Sequence, residues 1–375
     1  LFSGGRAVQR KKPPFGGPPT PPPLMEDGTV PRIRFWVMAA FLLVVGLSAP
    51  ITAQDSKDKA APVQDKNKAA VPPAAPAAGD KVELKWKFEK DKPFYQEVTT
   101  KTQQDMKVMG MDVKQAQDQT FYFSWQFKEE DKDKNTVVLQ KIEGVKLTIN
   151  VAGNPITFDS TAPTAQNTAL SEFFRALVGS EFRLTLDKEN KVVKIEGRDD
   201  FLRKLTSANQ QMESLLKSIL TEEALKQMAD PTFGVTPPGP KAKGETWEKE
   251  SSLNLGPIGS YKCKYTYKYE GQDDKNKDLA KISVETVLTY QPPPAETNVQ
   301  LPFRIKEANL KSKNGKGTVY FDVKKGRLDK SDQKIELDGK LTIEIAGMTT
   351  DVTLTQTQET TIATSDTPQV KKPAS

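Results

Sequence analysis

Histidine is absent from all 375 residues and cysteine occurs once. Without an imidazole, Ser-His-Asp and Cys-His nucleophiles are excluded, and most zinc sites with them. A single thiol excludes an intramolecular disulfide and any cysteine-cluster metal centre. Hydrophobic residues make up 36% of the chain against 28% charged, which excludes a polytopic helical membrane protein and leaves one or two globular domains. Phosphate-cradling glycine loops, a G-x-S-x-G elbow and an S-x-x-K signature are missing as well. The chain therefore reads as non-enzymatic, with no cofactor and no metal expected.

What is present first is an uneven charge. The formal net charge is +6. Residues 1–34 carry six basic groups against Glu26 and Asp27, residues 54–80 carry four lysines and four aspartates, and residues 366–375 set Lys371 and Lys372 against Asp366. The excess of four at the front and of one at the end leaves +1 for residues 81–365. A body so nearly neutral lacks the field that draws proteins to polyphosphates, and nucleic acid is not an expected partner.

Residues 32–53 read RIRFWVMAAFLLVVGLSAPITA: two arginines, a 13-residue apolar run from Phe35 to Leu47, a helix-breaking Ser-Ala-Pro and a small Ala53. This order predicts a signal peptide over residues 25–53, cut between Ala53 and Gln54. The mature chain is then extracytoplasmic, periplasmic or secreted. The alternative is a retained signal anchor, and the membrane is then touched only through this segment. The Pro/Gly-rich residues 1–24 read as disordered or as an over-extended gene start, and the Ala/Pro/Lys/Asp tract 54–80 as a disordered linker. Residues 366–375 read as a disordered tail.

From Lys81 the period becomes two. Val82, Leu84, Trp86 and Phe88 alternate with charged neighbours; Phe121, Phe123, Trp125 and Phe127 alternate with Tyr122, Ser124 and Gln126; Tyr261, Cys263, Tyr265, Tyr267 and Tyr269 alternate with polar ones. Strict alternation predicts antiparallel strands with one wet face. Hairpin turns are expected at Asp338-Gly339, at Asn314-Gly315 and over Asp187–Asn190. A helical period appears in one block, with helices expected at about 169–178, 199–219 and 221–229, the last capped by Thr221 and closing before Asp230-Pro231. The stripe that includes Phe201, Leu205, Met212, Leu216 and Ile219 needs a surface to cover, and a sheet face is the one available. Met111 and Met348 open two similar Gly-Met segments, a faint internal repeat in which both segments read as return strands of hairpins.

Candidate chemistry is sparse. The carboxylate pairs Asp199-Asp200 and Glu222-Glu223 fit helix starts. Asp274, Asn276, Asp278 and Glu285 copy calcium-loop spacing, but Leu279 stands where the turn demands Gly; Asp131, Asp133 and Asn135 copy only the first three ligands. Both read as solvated hairpin tips. The tyrosine row could stack sugar rings with Trp247, although such a row more often packs in a core, and Cys263 within it reads as a buried, inert thiol.

Three stretches, GSEFRLTLDKENKVVKIEGRDDFLRKL (179–205), KGETWEKESSLNLGPIGSYKCKYTYKYEG (243–271) and GTVYFDVKKGRLDKSDQKIELDGKLTIEIAGMTTDVTLTQTQETTI (317–362), resemble an uncharacterised family of exported bacterial proteins, common in planctomycetes, known as a domain of unknown function. The resemblance implies a fold and an address and brings no site residues. The expected fold is α+β and predominantly antiparallel β. Two related β-rich halves, 81–235 and 241–365, carry an amphipathic helical segment packed on a sheet. The expected function is a cell-envelope binding protein whose ligand, a lipid or other apolar molecule, lies between helix and sheet against Phe201, Leu205, Met212, Leu216 and Ile219. The alternatives are a polysaccharide-binding or structural surface module, with Trp247 and the tyrosines exposed, and a His-free hydrolase with two buried carboxylates and a lysine in a cleft.

Overall fold

The structure, a computed structural model, describes residues 81–151, 153–162, 169–208, 210–294, 303–345 and 347–370. The expectations for the leader, the Ala53–Gln54 cut and the linker fall outside the described residues, as does the end of the tail.

The described chain is mostly antiparallel β. The strands are β1 (Phe94–Val108), β2 (Met111–Glu130), β3 (Thr136–Val151), β4 (Asn154–Asp159), β5 (Glu181–Leu186), β6 (Val192–Glu196), β7 (Thr246–Asn254), β8 (Ser260–Gln272), β9 (Leu279–Gln291), β10 (Phe303–Asp322), β11 (Arg327–Ile345) and β12 (Met348–Ser365). They form one sheet in the order β6-β5-β3-β2-β1-β12-β11-β10-β9-β8-β7, with β4 added beside β3. The first and last described strands of the body, β1 and β12, pair from Tyr95–Ser365 to Val108–Val352. The 81–235 and 241–365 segments thus share a single hydrogen-bonded ladder.

Alternation decides which side is wet. On β8, Tyr261, Cys263, Tyr265, Tyr267 and Tyr269 are buried while Lys262, Lys264 and Lys268 are exposed. On β12, Thr349, Asp351, Thr353, Thr355 and Glu359 point outward. Lysines on that outer face, such as Lys262, Lys264 and Lys268, would cost about 2–4 kcal/mol each at the centre of a bilayer. Among the described residues no helix is long and apolar enough to cross a membrane.

The helices are α1 (Ala169–Leu177), α2 (Arg198–Ala208), α3 (Glu213–Ile219) and α4 (Glu222–Phe233). Thr221 caps α4, its hydroxyl accepting the Ala224 N–H at 3.0 Å. This helix touches both edge strands, β6 and β7, which are not paired with each other. The sheet therefore rolls until its two edges face one helix, which covers backbone edges that would otherwise invite a foreign strand. The single helix expected over 199–219 is broken by a 3-10 turn at Gln210–Met212. Phe201 of α2 packs on Phe182 of β5 with ring centroids 5.0 Å apart, whereas α3 lies against the Gly256–Ile258 turn. The tighter turn re-aims the apolar stripe between those two surfaces. α4 also runs through Asp230 and Pro231 to Phe233 instead of closing at 229. Phe233 is fully buried and its carbonyl accepts the Trp86 indole N–H at 2.9 Å, so the extra turn ends inside the core.

Two expected hairpin turns are not turns. Asp338-Gly339 lies inside β11 and Asn314-Gly315 inside β10. A Cβ on Gly339 would sit 1.9 Å from the Asn309 carbonyl oxygen, and one on Gly315 would sit 2.3 Å from that of Thr286, next to a register shift between Ser312 and Asn314. Glycine here permits close backbone approach and a bulge in long strands. The Asp187–Asn190 loop does turn between β5 and β6, with Asn190 at φ 63° and the Asp187 carboxylate accepting the Glu189 and Lys191 amides.

Candidate functional site

The inward face of the roll has three zones along its length. One end is filled with rings. Residues 81–93 cross it as a strap, held by a bridge between Val82 and Lys241 and by the Lys87 N–H donating to Gly326 at 2.8 Å. Under the strap, Trp86 meets Phe94, Phe233 and Phe321 at 6.5, 5.4 and 5.7 Å, and Trp125 meets Phe233 at 5.2 Å. Aromatic contacts of this kind add to the burial of area and make a solid plug.

The middle zone is polar. The ladders align Gln115, Gln104 and Gln356 in one row across β2, β1 and β12, then Gln117, Thr102 and Gln358, then Gln119, Thr100 and Thr360. Every inward position of this block is an uncharged amide or hydroxyl. Gln333 of β11 and Thr286 of β9 extend it, the amide donating to the hydroxyl at 2.7 Å. Apolar rows bound the block on both sides: Val108, Val352 and Leu341 toward the hairpin tips, Val98 and Ile362 toward the plug.

Hydrogen bonding inside the block is incomplete. Gln104 Nε2 donates to Gln356 Oε1 at 2.6 Å, Gln117 Nε2 to Gln119 Oε1 at 3.0 Å, and the Thr100 and Thr360 hydroxyls lie 3.3 Å apart. Five buried atoms are left without a partner: Thr102 Oγ1, Gln104 Oε1, Gln115 Nε2, Gln117 Oε1 and Gln356 Nε2. Gln96, nearer the plug, is the contrast. It accepts the Trp125 indole N–H at 2.8 Å and donates to Thr364 at 3.3 Å. On β7 and β8, Trp247 Nε1 and the Tyr261 hydroxyl are also buried and unpartnered.

The helical stripe stands elsewhere. Phe201, Leu205, Leu216 and Ile219 are buried in the apolar core and Met212 is half-buried against it. Two surface clefts, about 400 and 470 Å³, are lined by other residues. The first holds ion-paired Arg183, Glu129, Lys194 and Glu196. The second holds lysines beside Asp322 and Asp366, but Asp322 caps the β10–β11 turn through the Lys325 amide. Hydrogen bonds from Lys325 and Arg327 hold the Asp366 carboxyl below its ordinary range. Asp366 therefore lacks the environment of a general acid. Asp131 binds the Asp133 and Asn135 amides within its own loop, and no cluster among the described residues could hold a metal ion. Trp247 and the tyrosine row are buried, Tyr265 fully, which overturns the exposed sugar-stacking platform. Burial pushes the Cys263 thiol up to about 11, as an inert core residue requires.

The polar block escaped sequence reasoning because its Gln/Thr alternation looks like low complexity. Its signal is parity: Gln115, Gln117 and Gln119 fall in step with inward Trp125, and Gln356 and Gln358 with inward Leu354.

A family of unknown function, DUF6263, matches residues 133–367. No curated protein sequence matches the chain. Among solved structures, the chain is similar to lipovitellin from a study of lipid–protein interactions, at 10% identity and TM-score 0.38, covering 77% of this chain and 27% of that one. It is also similar to OccK5 (OpdH) of Pseudomonas aeruginosa, at 8% identity and TM-score 0.22, covering 74% of this chain and 100% of that one. A DUF1329 protein of Desulfovibrio piger matches at 12% identity and TM-score 0.14, covering 75% and 88%.

Proposed function

The chain belongs to that family of unknown function, and from this premise we propose that it is an exported, non-enzymatic binding protein of the cell envelope. Its ligand is a neutral lipid-like molecule held inside the rolled sheet. The observation that carries the reading is the unpartnered polar block. A buried donor or acceptor left unpaired costs about 1–3 kcal/mol, so the five atoms together cost on the order of the whole stability of a domain. Polar groups from outside the chain, a ligand's or those of buried water, would lift that cost. All its groups are neutral and apolar rows flank it, so the complement is an uncharged ester, amide or hydroxyl carried between apolar arms. The helical stripe with Phe201, Leu205, Met212, Leu216 and Ile219 lies in the apolar core, apart from the block. Export rests on residues 25–53 read as a signal, and a mature N-terminus at Gln54, determined on protein from the host, is the expected product.

Native mass spectrometry of protein purified from its host tests the binding. A bound species that organic solvent extracts is expected. In the double variant Gln104→Leu/Gln356→Leu that species is lost while the melting temperature holds or rises, since removing both partners of a buried pair removes the unmet demand as well. A wild-type protein that flies bare, or a double variant that keeps its adduct, would overturn the reading.

A further inference from the structure

Among the described residues, the large apolar side chains that stand exposed are Met109, Met111, Ile156, Val193, Val287 and Met348. The three methionines, 57, 63 and 52% exposed, occupy two hairpin tips at the end of the roll opposite the plug. The β1–β2 tip turns through Met109 and Gly110 at φ 51° and 79°, and the β11–β12 tip turns at Gly347, φ 81°. Neither glycine has an atom within 4 Å of where a Cβ would be, so both tips stand clear of the body. They are neighbours, because Val108 at the end of β1 pairs with Val352 of β12.

The register says more. Met111 lies opposite Val108 and therefore on the inward side, and Met348 shares the parity of buried Thr350 and Val352. Ile156, opposite buried Ile149 on β3, is inward by the same rule. These side chains continue the inner apolar surface past the point where the roll covers it. Met109 is also a non-glycine residue in the left-handed region, where Asn or Gly would fit at lower cost.

We propose that these tips dock on a lipid bilayer, with Met109, Met111 and Met348 entering the interfacial layer. A deformable surface suits them better than a folded partner does. The β12 strand reaches four residues past Val352 to Met348, about 13 Å at roughly 3.3 Å per residue, so the tips form a step and not a flat patch. Methionine is flexible and adapts to irregular apolar surroundings. Charge near the tips is balanced: Lys107 lies opposite Asp112, Lys114 pairs with Asp105 and Lys306 with Glu344. Attachment is therefore apolar, takes zwitterionic lipid, and resists salt. It stands on exposure and register alone, so it can hold or fail whatever fills the Gln/Thr block.

Co-sedimentation of the full-length protein as its host makes it, with phosphatidylcholine vesicles, tests the proposal. Binding is expected to survive about 0.5 M NaCl, where surface ion pairs are screened. The triple variant Met109→Ser/Met111→Ser/Met348→Ser should keep its melting temperature and lose affinity about tenfold or more. The control Val193→Ser/Val287→Ser should bind as wild type. Four results overturn the proposal: no binding by wild type, a triple variant that still binds, binding only to phosphatidylglycerol vesicles at low salt, or a triple variant whose sole change is loss of a dimer on gel filtration.

Discussion

Cys263 stands between Tyr261 and Tyr265 on the inward side of β8, with 6% of its surface exposed. Burial raises its thiol to about 11, so at pH 8 only about one molecule in a thousand carries the reactive thiolate. Labelling by iodoacetamide at that pH should await unfolding, and labelling of the native protein within minutes would contradict the inward register of β8. The folded-state value lies above the unfolded one, so this contribution to stability is complete below the ordinary thiol range. It is lost as pH rises from about 9 through 11. Melting temperature should fall over that window and fall less in Cys263→Ala. At this scale the sequence was readable wherever chemistry and parity agree, as in the tyrosine row. It was opaque in the Gln/Thr block, because an inward glutamine and an outward one look alike until a neighbouring tryptophan or leucine sets the phase.

Elements were legible in kind and less so in extent. The Asp187–Asn190 turn, the Thr221 cap and the acidic starts of α2 and α4 all rest on local chemistry, and local chemistry is what a sequence displays. Asp338-Gly339 and Asn314-Gly315 carry the same dipeptides as hairpin turns, yet they lie within β11 and β10. What decides their role is the distance to the neighbouring strand, a tertiary quantity. The difference can be measured. In Gly339→Ala the new Cβ meets backbone at 1.9 Å, so the ladder must part, at a cost of about 3 kcal/mol or more. In Gly110→Ala the space is open and only the φ of 79° is strained, at a cost of about 1 kcal/mol. Urea midpoints of the two variants should separate accordingly, and equal midpoints would show that Gly339 tolerates a side chain.

The molecule as a whole is held by its most distant pairing. β1 meets β12 along its length, from Tyr95–Ser365 to Val108–Val352, while the chain between them travels outward to β6, through the helices, and back from β7. The boundary expected between the halves 81–235 and 241–365 is in space the return of the seam: α4 closes there on both edges, and Lys241 pairs with Val82 of the strap. Cutting the chain between 235 and 241 therefore separates no domain. A fragment 81–235 keeps β1 with a bare edge and a Gln/Thr inner face open to solvent. A fragment 241–365 keeps β12 in the same condition, and long bare strands of that composition pair with whatever they meet. Each fragment alone should show no cooperative melting and should aggregate, whereas refolding the two together should restore the ladder and the native near-ultraviolet spectrum. The uncut protein should melt in one transition with calorimetric and van't Hoff enthalpies equal, as a single sheet requires. A sigmoidal melt from either fragment alone would mean that the β1–β12 ladder joins two finished structures. The unpartnered block on β2, β1 and β12 would then lie at an interface between them, not inside one fold.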